Sequence, residues 1–291
     1  MRFVGYHATH QVMTENAIKD LESPSGNAEN GTIERLIHHS RELALQGKFS
    51  EAHATLSEAE QLLQNQPDVD SGTPRGLVRI HWLLEKGRVY VLERTPSQAR
   101  ALFSEAWTLA RAAGEDYFSV DAAQMMAEIE PQKQQQEWVH RALKIAESST
   151  QDRVKQWLGS LYATLGWKLY DLRQFEKALE VFEKSLVHLK AEGNEKQIVD
   201  VKWSIGKVLR ALQRIDEALV IQETLVTELR SRGVQDGRVY EELAECLHSL
   251  KRPLEAQNYF ELAYRELSQD PWLKDNKPAQ IKRLKDLGKV K

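Results

Sequence analysis

From about residue 32 onward, apolar residues return every three or four positions in stretches of helical length, and short polar breaks separate the stretches. The clearest stretch carries Tyr162, Leu165, Gly166 and Leu169. A break follows at Arg173-Gln174, and then Phe175, Ala178, Phe182 and Ser185-Leu186 continue the spacing. This pattern predicts a helix, a tight turn and a second helix. Gly166 and Ala178 stand where the two helices must approach closely, because a larger side chain at either would push them apart.

The same order of residue types recurs. Ile205-Gly206, Leu209, Ile215 and Ala218 form the next copy, followed by Tyr240, Leu243-Ala244, Leu247, Ala256, Phe260 and Ala263. Towards the N-terminus, Leu83, Gly87, Tyr90, Ala99, Phe103 and Ala106 match. Leu36, Leu43, Gly47, Phe49, Ala52, Leu56 and Ala59 form an earlier copy, and Ala123, Met126, Val139 and Ala142-Leu143 a fainter one. Six copies in one frame span roughly residues 32 to 270, and fixed-period self-similarity is the mark of a repeat architecture.

The order of aromatic, Leu-Gly, aromatic or Leu, turn, aromatic, Ala, aromatic, Ala-Leu resembles the tetratricopeptide repeat. The family's usual period is about 34 residues. Here Gly166 to Gly206 is 40, Gly206 to Ala244 is 38, Gly87 to Ala123 is 36 and Ala123 to Gly166 is 43. In this the chain is similar to the longer-period variants of kinesin light chains, spindle-orientation adaptors and bacterial peptide-sensing regulators. The resemblance implies an all-α, right-handed superhelical solenoid of about six antiparallel helix pairs.

The boundaries carry their own chemistry. Asn65 to Gly76 is rich in Pro, Gly and Asp and reads as a loop. Gly114, Gly193 and Gly233 each follow a helical run and can supply the left-handed residue that closes it. Pro131 ends a helix early and distorts the third unit. Residues 271–291 form a basic tail in which Pro278 opens a helix, and Ile281, Leu284 and Leu287 share one face of it. That helix is expected to cap the array of residues 32–270. Residues 1–31 read as weakly structured, with a short helix around Met13 to Leu21, and Met13 is itself a plausible start.

Composition narrows the function. The 291 residues carry a net charge of −3, without the basic excess of most nucleic-acid binders. The single cysteine, Cys246, permits no intramolecular disulfide and suits a reducing compartment. No apolar run reaches the length of a membrane span and no secretory leader is evident. The chain thus reads as soluble and cytoplasmic. Asp68 to Gly72 lacks the glycine and glutamate placing of a calcium loop. His38-His39 point apart on one helix and make no metal site, and Gln132 to Gln136 reads as the solvated start of a second helix. No phosphate loop, nucleophile elbow or acid–base pair stands out, so the expectation is a non-enzymatic chain with no metal and no cofactor.

In the tetratricopeptide family the first helix of each pair lines a concave groove, and the resemblance carries particular positions of this chain into it. These are Arg41 in the first unit, His81 and Arg88 in the second, and Gln124 in the third. Trp167 and Tyr170 follow in the fourth, Trp203, Lys207 and Arg210 in the fifth, and Arg238 in the sixth. Ile37, Leu84, Tyr117, Val120, Ala163, Glu241, Glu245 and His248 complete the lining. Such a groove is basic and aromatic and suits an acidic or carboxylate-ending peptide with an apolar anchor. The family's terminal-carboxylate clamp needs Lys and Asn where Ile37 and Arg41 stand, so a clamp of that type is not expected. The leading expectation is an adaptor that binds a peptide or helix segment of another protein. A peptide-switched regulator is the second reading, although only about 30 residues, without a helix-turn-helix pattern, precede the array. RNA binding through the basic groove is the third.

Overall fold

The computed structural model describes residues 28–64 and 72–290. Those residues form helices and connecting turns, with no strand among them. The first pair is α1 (Ala28–Leu45) and α2 (Phe49–Gln64), and the second is α3 (Pro74–Leu92) and α4 (Pro96–Ala113). The third is α5 (Asp116–Ile129) and α6 (Gln132–Ser148). A one-turn helix, α7 (Asp152–Lys155), precedes α8 (Leu158–Asp171), which pairs with α9 (Phe175–Glu192). The last two pairs are α10 (Glu195–Ala211) with α11 (Ile215–Ser231), and α12 (Gly237–Ser249) with α13 (Pro253–Leu267). α14 (Pro271–Asn276) and α15 (Pro278–Gly288) follow, and α15 packs on α13 through the fully buried Leu284. The chain divides into two compact units between Leu161 and Tyr162, within α8.

One register recurs in all six pairs. Ser40, Gly87, Ala123, Gly166, Gly206 and Ala244 on the first helices each stand sixteen residues before a buried residue on the second. Those partners are Leu56, Phe103, Val139, Phe182, Gln222 and Phe260. The glycines are needed for clearance. A Cβ on Gly87 would lie 2.3 Å from the Phe103 ring, and one on Gly166 would lie 2.7 Å from Phe182. In the fifth pair the aromatic is replaced, and a Cβ on Gly206 would lie 2.2 Å from the Gln222 amide. The Gln222 amide donates instead to the carbonyl of Trp203 at 3.3 Å.

The turn within each pair is as regular. Seven residues after the small residue the backbone is left-handed, at Gly47, Arg94, Arg173, Gln213 and Lys251, with φ between 50° and 80°. Four of the five are not glycine, which costs about 1–2 kcal/mol each for an L-residue. The third pair departs as Pro131 implies: Glu130 is extended, with φ −71° and ψ 156°, and α6 begins at Gln132. Between pairs, Gly114, Gly193 and Gly233 take the left-handed conformation expected of them. Length varies only in these outer connections, and the long third-to-fourth spacing holds α7 and the buried Trp157. The proposed helix at Met13 to Leu21 lies outside the described residues, as does most of the Asp68 to Gly72 run.

Adjacent pairs are also tied through polar groups. The Trp82 indole in α3 donates to the carbonyl of Leu56 in α2 at 2.9 Å. Thr73, followed by Pro74, caps α3 by accepting from the Gly76 amide, and Asp270, followed by Pro271, caps α14 in the same way.

Replacing glycine by alanine inside a helix ordinarily stabilises it by about 0.5–1 kcal/mol. Gly166→Ala is expected to do the reverse, costing about 1–3 kcal/mol in urea denaturation because the Phe182 ring must move. Phe182→Leu in the same chain should recover part of the loss.

Candidate functional site

The ten residues singled out in the sequence all lie on first helices, and apart from Gln124 the structure brings them together within each unit. In unit 1, Arg41, His81 and Arg88 converge on one carboxylate. Glu85, 1% exposed, accepts from Arg88, lies 3.5 Å from Arg41 and lies 3.7 Å from His81 Nε2. The other His81 nitrogen, Nδ1, is 2.7 Å from Glu34. Arg88 also donates to both oxygens of Asp121 on α5, which is fully buried. Gln124 follows Asp121 by one turn and is itself buried.

Burial works against charge on His81, but Glu34 and Glu85 outweigh it and raise the pKa to about 10. Burial also opposes the charge on Glu85, and Arg88, Arg41 and His81 nevertheless hold its carboxyl well below the usual range. His38 goes the other way: burial, reinforced by the His81 charge, lowers it. The cluster therefore holds three cations, Arg41, Arg88 and protonated His81, against three anions, Glu34, Glu85 and Asp121.

In unit 2 the aromatics form a continuous ledge. The Trp167 ring centre is 5.6 Å from that of Trp203 and 5.4 Å from that of Tyr170. Trp203 is buried and its indole donates to the carbonyl of Arg238 at 3.1 Å, whereas Trp167 and Tyr170 are half-buried. Cations flank the ledge, with Lys207 Nζ 5.6 Å and the Arg238 guanidinium 5.2 Å from the Trp203 ring centre. Arg210 grips both oxygens of the buried Glu242, and Lys207 lies 3.5 Å from that same carboxylate. Arg238 is shared between Asp200 and Asp236, each at 2.7 Å. Beyond them, Gln280 and Arg283 of α15 engage Glu241 and Glu245 of α12. Burial pushes the Cys246 thiol up to about 12, which leaves it an inert core residue.

The strip foreseen as basic thus carries a matching set of carboxylates. Sequence reading missed Glu34, Glu85, Asp121, Asp200 and Glu242. The signal was in the repeat frame. The residue just after the small one (Arg41, Arg88, Lys207) meets the residue two before the small one of the next pair (Glu85, Asp121, Glu242). Among the described residues, no group of His, Cys, Asp and Glu is arranged to hold a metal, and no helix is long and apolar enough to cross a membrane.

With this geometry in view, solved structures decide the class. A STAND (signal transduction ATPase with numerous domains) protein with a tetratricopeptide repeat sensor, from Pyrococcus horikoshii, superposes with a TM-score of 0.68 at 15% identity. The chain has a tetratricopeptide-like repeat fold. That match covers 96% of this chain but only 42% of the other, so the chain spans less than half the length of the STAND protein. Aspartyl phosphate phosphatase F from Bacillus subtilis gives a TM-score of 0.60 at 12% identity, covering 89% of this chain and 79% of that one. A Rap protein complexed with Competence and Sporulation Factor gives 0.54 at 12%, covering 89% and 76%. No family model and no curated protein matches the sequence.

Truncating one member of a buried ion pair strands its partner, so Arg88→Ala is expected to cost about 3–5 kcal/mol in urea denaturation. Adding Asp121→Ala should cost much less than the sum of the two single changes. His81 sets a pH dependence. Its raised pKa stabilises the fold fully below about 6.5, and the contribution is lost as pH rises through about 10. Relative to His81→Gln, the wild-type chain should lose stability between pH 7 and 10 by at most about 1.4 kcal/mol per unit.

Proposed function

We propose that the chain is a non-enzymatic protein-interaction adaptor, and that the first helices of unit 2 form the groove that takes a peptide or helix segment. The segment is acidic and carries an apolar anchor. One observation carries this reading: the Trp167–Tyr170–Trp203 ledge lies beside Lys207. Glu242 already gives both its oxygens to Arg210, so Lys207 holds its carboxylate only at 3.5 Å. It is the cation most free to exchange that contact for a ligand's carboxylate. An aromatic or aliphatic side chain on the ledge supplies buried apolar area, and an acidic neighbour reaches Lys207. The other cations are occupied by buried or part-buried carboxylates, which weakens the RNA reading, since phosphate binding needs cations available to solvent. A cytoplasmic setting fits the lone, inert Cys246.

The likeness to a Rap protein complexed with Competence and Sporulation Factor supports a second reading, a regulator switched by a peptide. It differs from the first in one observable: a switched regulator changes its radius of gyration when the peptide binds, and a plain adaptor keeps it.

A fluorescein-labelled peptide containing Trp flanked by Glu and Asp tests the first reading by anisotropy. Lys207→Glu should weaken binding by about tenfold or more, that is by about 1.4 kcal/mol or more. Trp167→Ala should do the same. Helicity should stay unchanged in both, and the exposed Lys285→Glu should bind as wild type. Wild-type affinity in Lys207→Glu would refute the reading.

A further inference from the structure

In unit 2, α11 ends at a cavity. Gly233 is left-handed, its amide donates to the Arg230 carbonyl, and the Val234 amide donates to that of Leu229, each at 3.0 Å. This paired closure fixes the connection to α12 and leaves Val234 46% exposed. Arg230, Gly233, Val234 and Gln235, together with Tyr240 of α12 and Leu262 of α13, line a cavity of about 250 Å³. The Arg230 guanidinium lies 5.9 Å from the Tyr240 ring centre and 5.8 Å from that of Tyr259, and the two ring centres are 6.2 Å apart. Attraction to two ring faces holds the guanidinium in place. Among the described residues of unit 2, every arginine except Arg173 and Arg230 pairs with a carboxylate. No carboxylate lines the cavity either. A positioned cation without a counter-charge therefore stands at a hollow with apolar walls.

We propose that this cavity binds a carboxylate carried on a compact apolar group, either a free acid or the C-terminal residue of a peptide. Charge selects a single anion. One guanidinium balances a carboxylate and can grip both its oxygens, whereas a phosphate monoester carries about −1.5 to −2 and would keep an excess. Lining selects an apolar body, because Val234, Leu262 and the Tyr240 ring supply its walls. Size selects one group. A cavity of about 150 Å³ holds benzene, so this one takes a phenyl or isobutyl group with its carboxylate and little more. The carbonyl end of α11 disfavours an anion, but two of its carbonyls are bonded in the turn, and the start of α12, with Tyr240 in its first turn, acts in the opposite sense. The cavity shares no residue with the Trp167–Tyr170–Trp203 ledge or with Lys207, so it does not depend on the peptide reading above.

The test uses the full 15N-labelled chain and reads the Val234 and Gln235 backbone amides and the Arg230 Nε–H, the last assigned by its loss in Arg230→Gln. Phenylacetate should shift all three saturably, while phenylacetamide, acetate and phenyl phosphate each bind about tenfold or more weakly. Arg230 is exposed, so Arg230→Gln is expected to fold and to abolish the response of the two amides. Val234→Glu, which places a carboxylate in the lining, should silence Gln235 and Arg230 in the same way. Acetyl-Ala-Ala-Phe with a free C-terminus separates the two sources: tighter binding than phenylacetate assigns the cavity to a chain terminus, and weaker binding assigns it to a free acid. No saturable shift with phenylacetate, equal binding of phenylacetamide, tighter binding of phenyl phosphate, or an unchanged response in Arg230→Gln would overturn the proposal.

Discussion

A small residue on one helix facing a buried residue sixteen positions later on the next is the contact on which the rest of this structure depends. It brings the two helices of a pair within reach of each other and sets their rotation. Gly87 against Phe103 and Gly166 against Phe182 leave no space for a β-carbon. Once rotation is set, every other position of the pair has a fixed direction. The left-handed turn residue falls seven places on, whether it is Gly47 or the less suited Arg94, Arg173, Gln213 and Lys251. Variation in repeat length is confined to the connections between pairs, where it leaves this contact untouched.

The same register determines which charges meet. Arg41 reaches Glu85, Arg88 reaches Asp121 and Lys207 reaches Glu242, always from one pair to the next. Buried ion pairs add little net stability, because desolvation offsets most of the attraction. Their value here is in phasing: a first helix rotated out of register would leave a carboxylate such as Asp121 buried and alone. The two units spend these charges differently. In unit 1 the charges balance and His81 stays protonated between two glutamates. In unit 2 one glutamate serves two cations, and the less tightly held of them stands over an aromatic ledge.

Much of the fold was legible because helix pairs leave a spacing signature that survives substitution. The small residues of five pairs, the paired aromatics and the inter-pair glycines stood out in the chain, whereas Ser40 of the first pair did not. Even the fifth pair, where Gln222 replaces the aromatic, could be placed by its frame. The ten candidate positions lie on first helices, yet their environment was not foreseen. Glutamate is abundant on every helical surface, so Glu85 and Glu242 look like their solvated neighbours until the phase between successive pairs is known. That phase depends on the outer connections, the part of the repeat that varies most. The short α7 was hidden for the same reason, since four residues are too few to show a period.

The seven tryptophans offer the most direct examination of the groove proposed in unit 2, because each indole N–H gives its own 15N signal. On titration with an acidic, Trp-anchored peptide, the account requires the Trp167 and Trp203 indole signals to move together and saturate. Those of Trp82, bonded to the Leu56 carbonyl, and of Trp107, Trp138 and Trp272 should stay in place. Movement confined to the latter four, or none at all while the peptide binds, would contradict it.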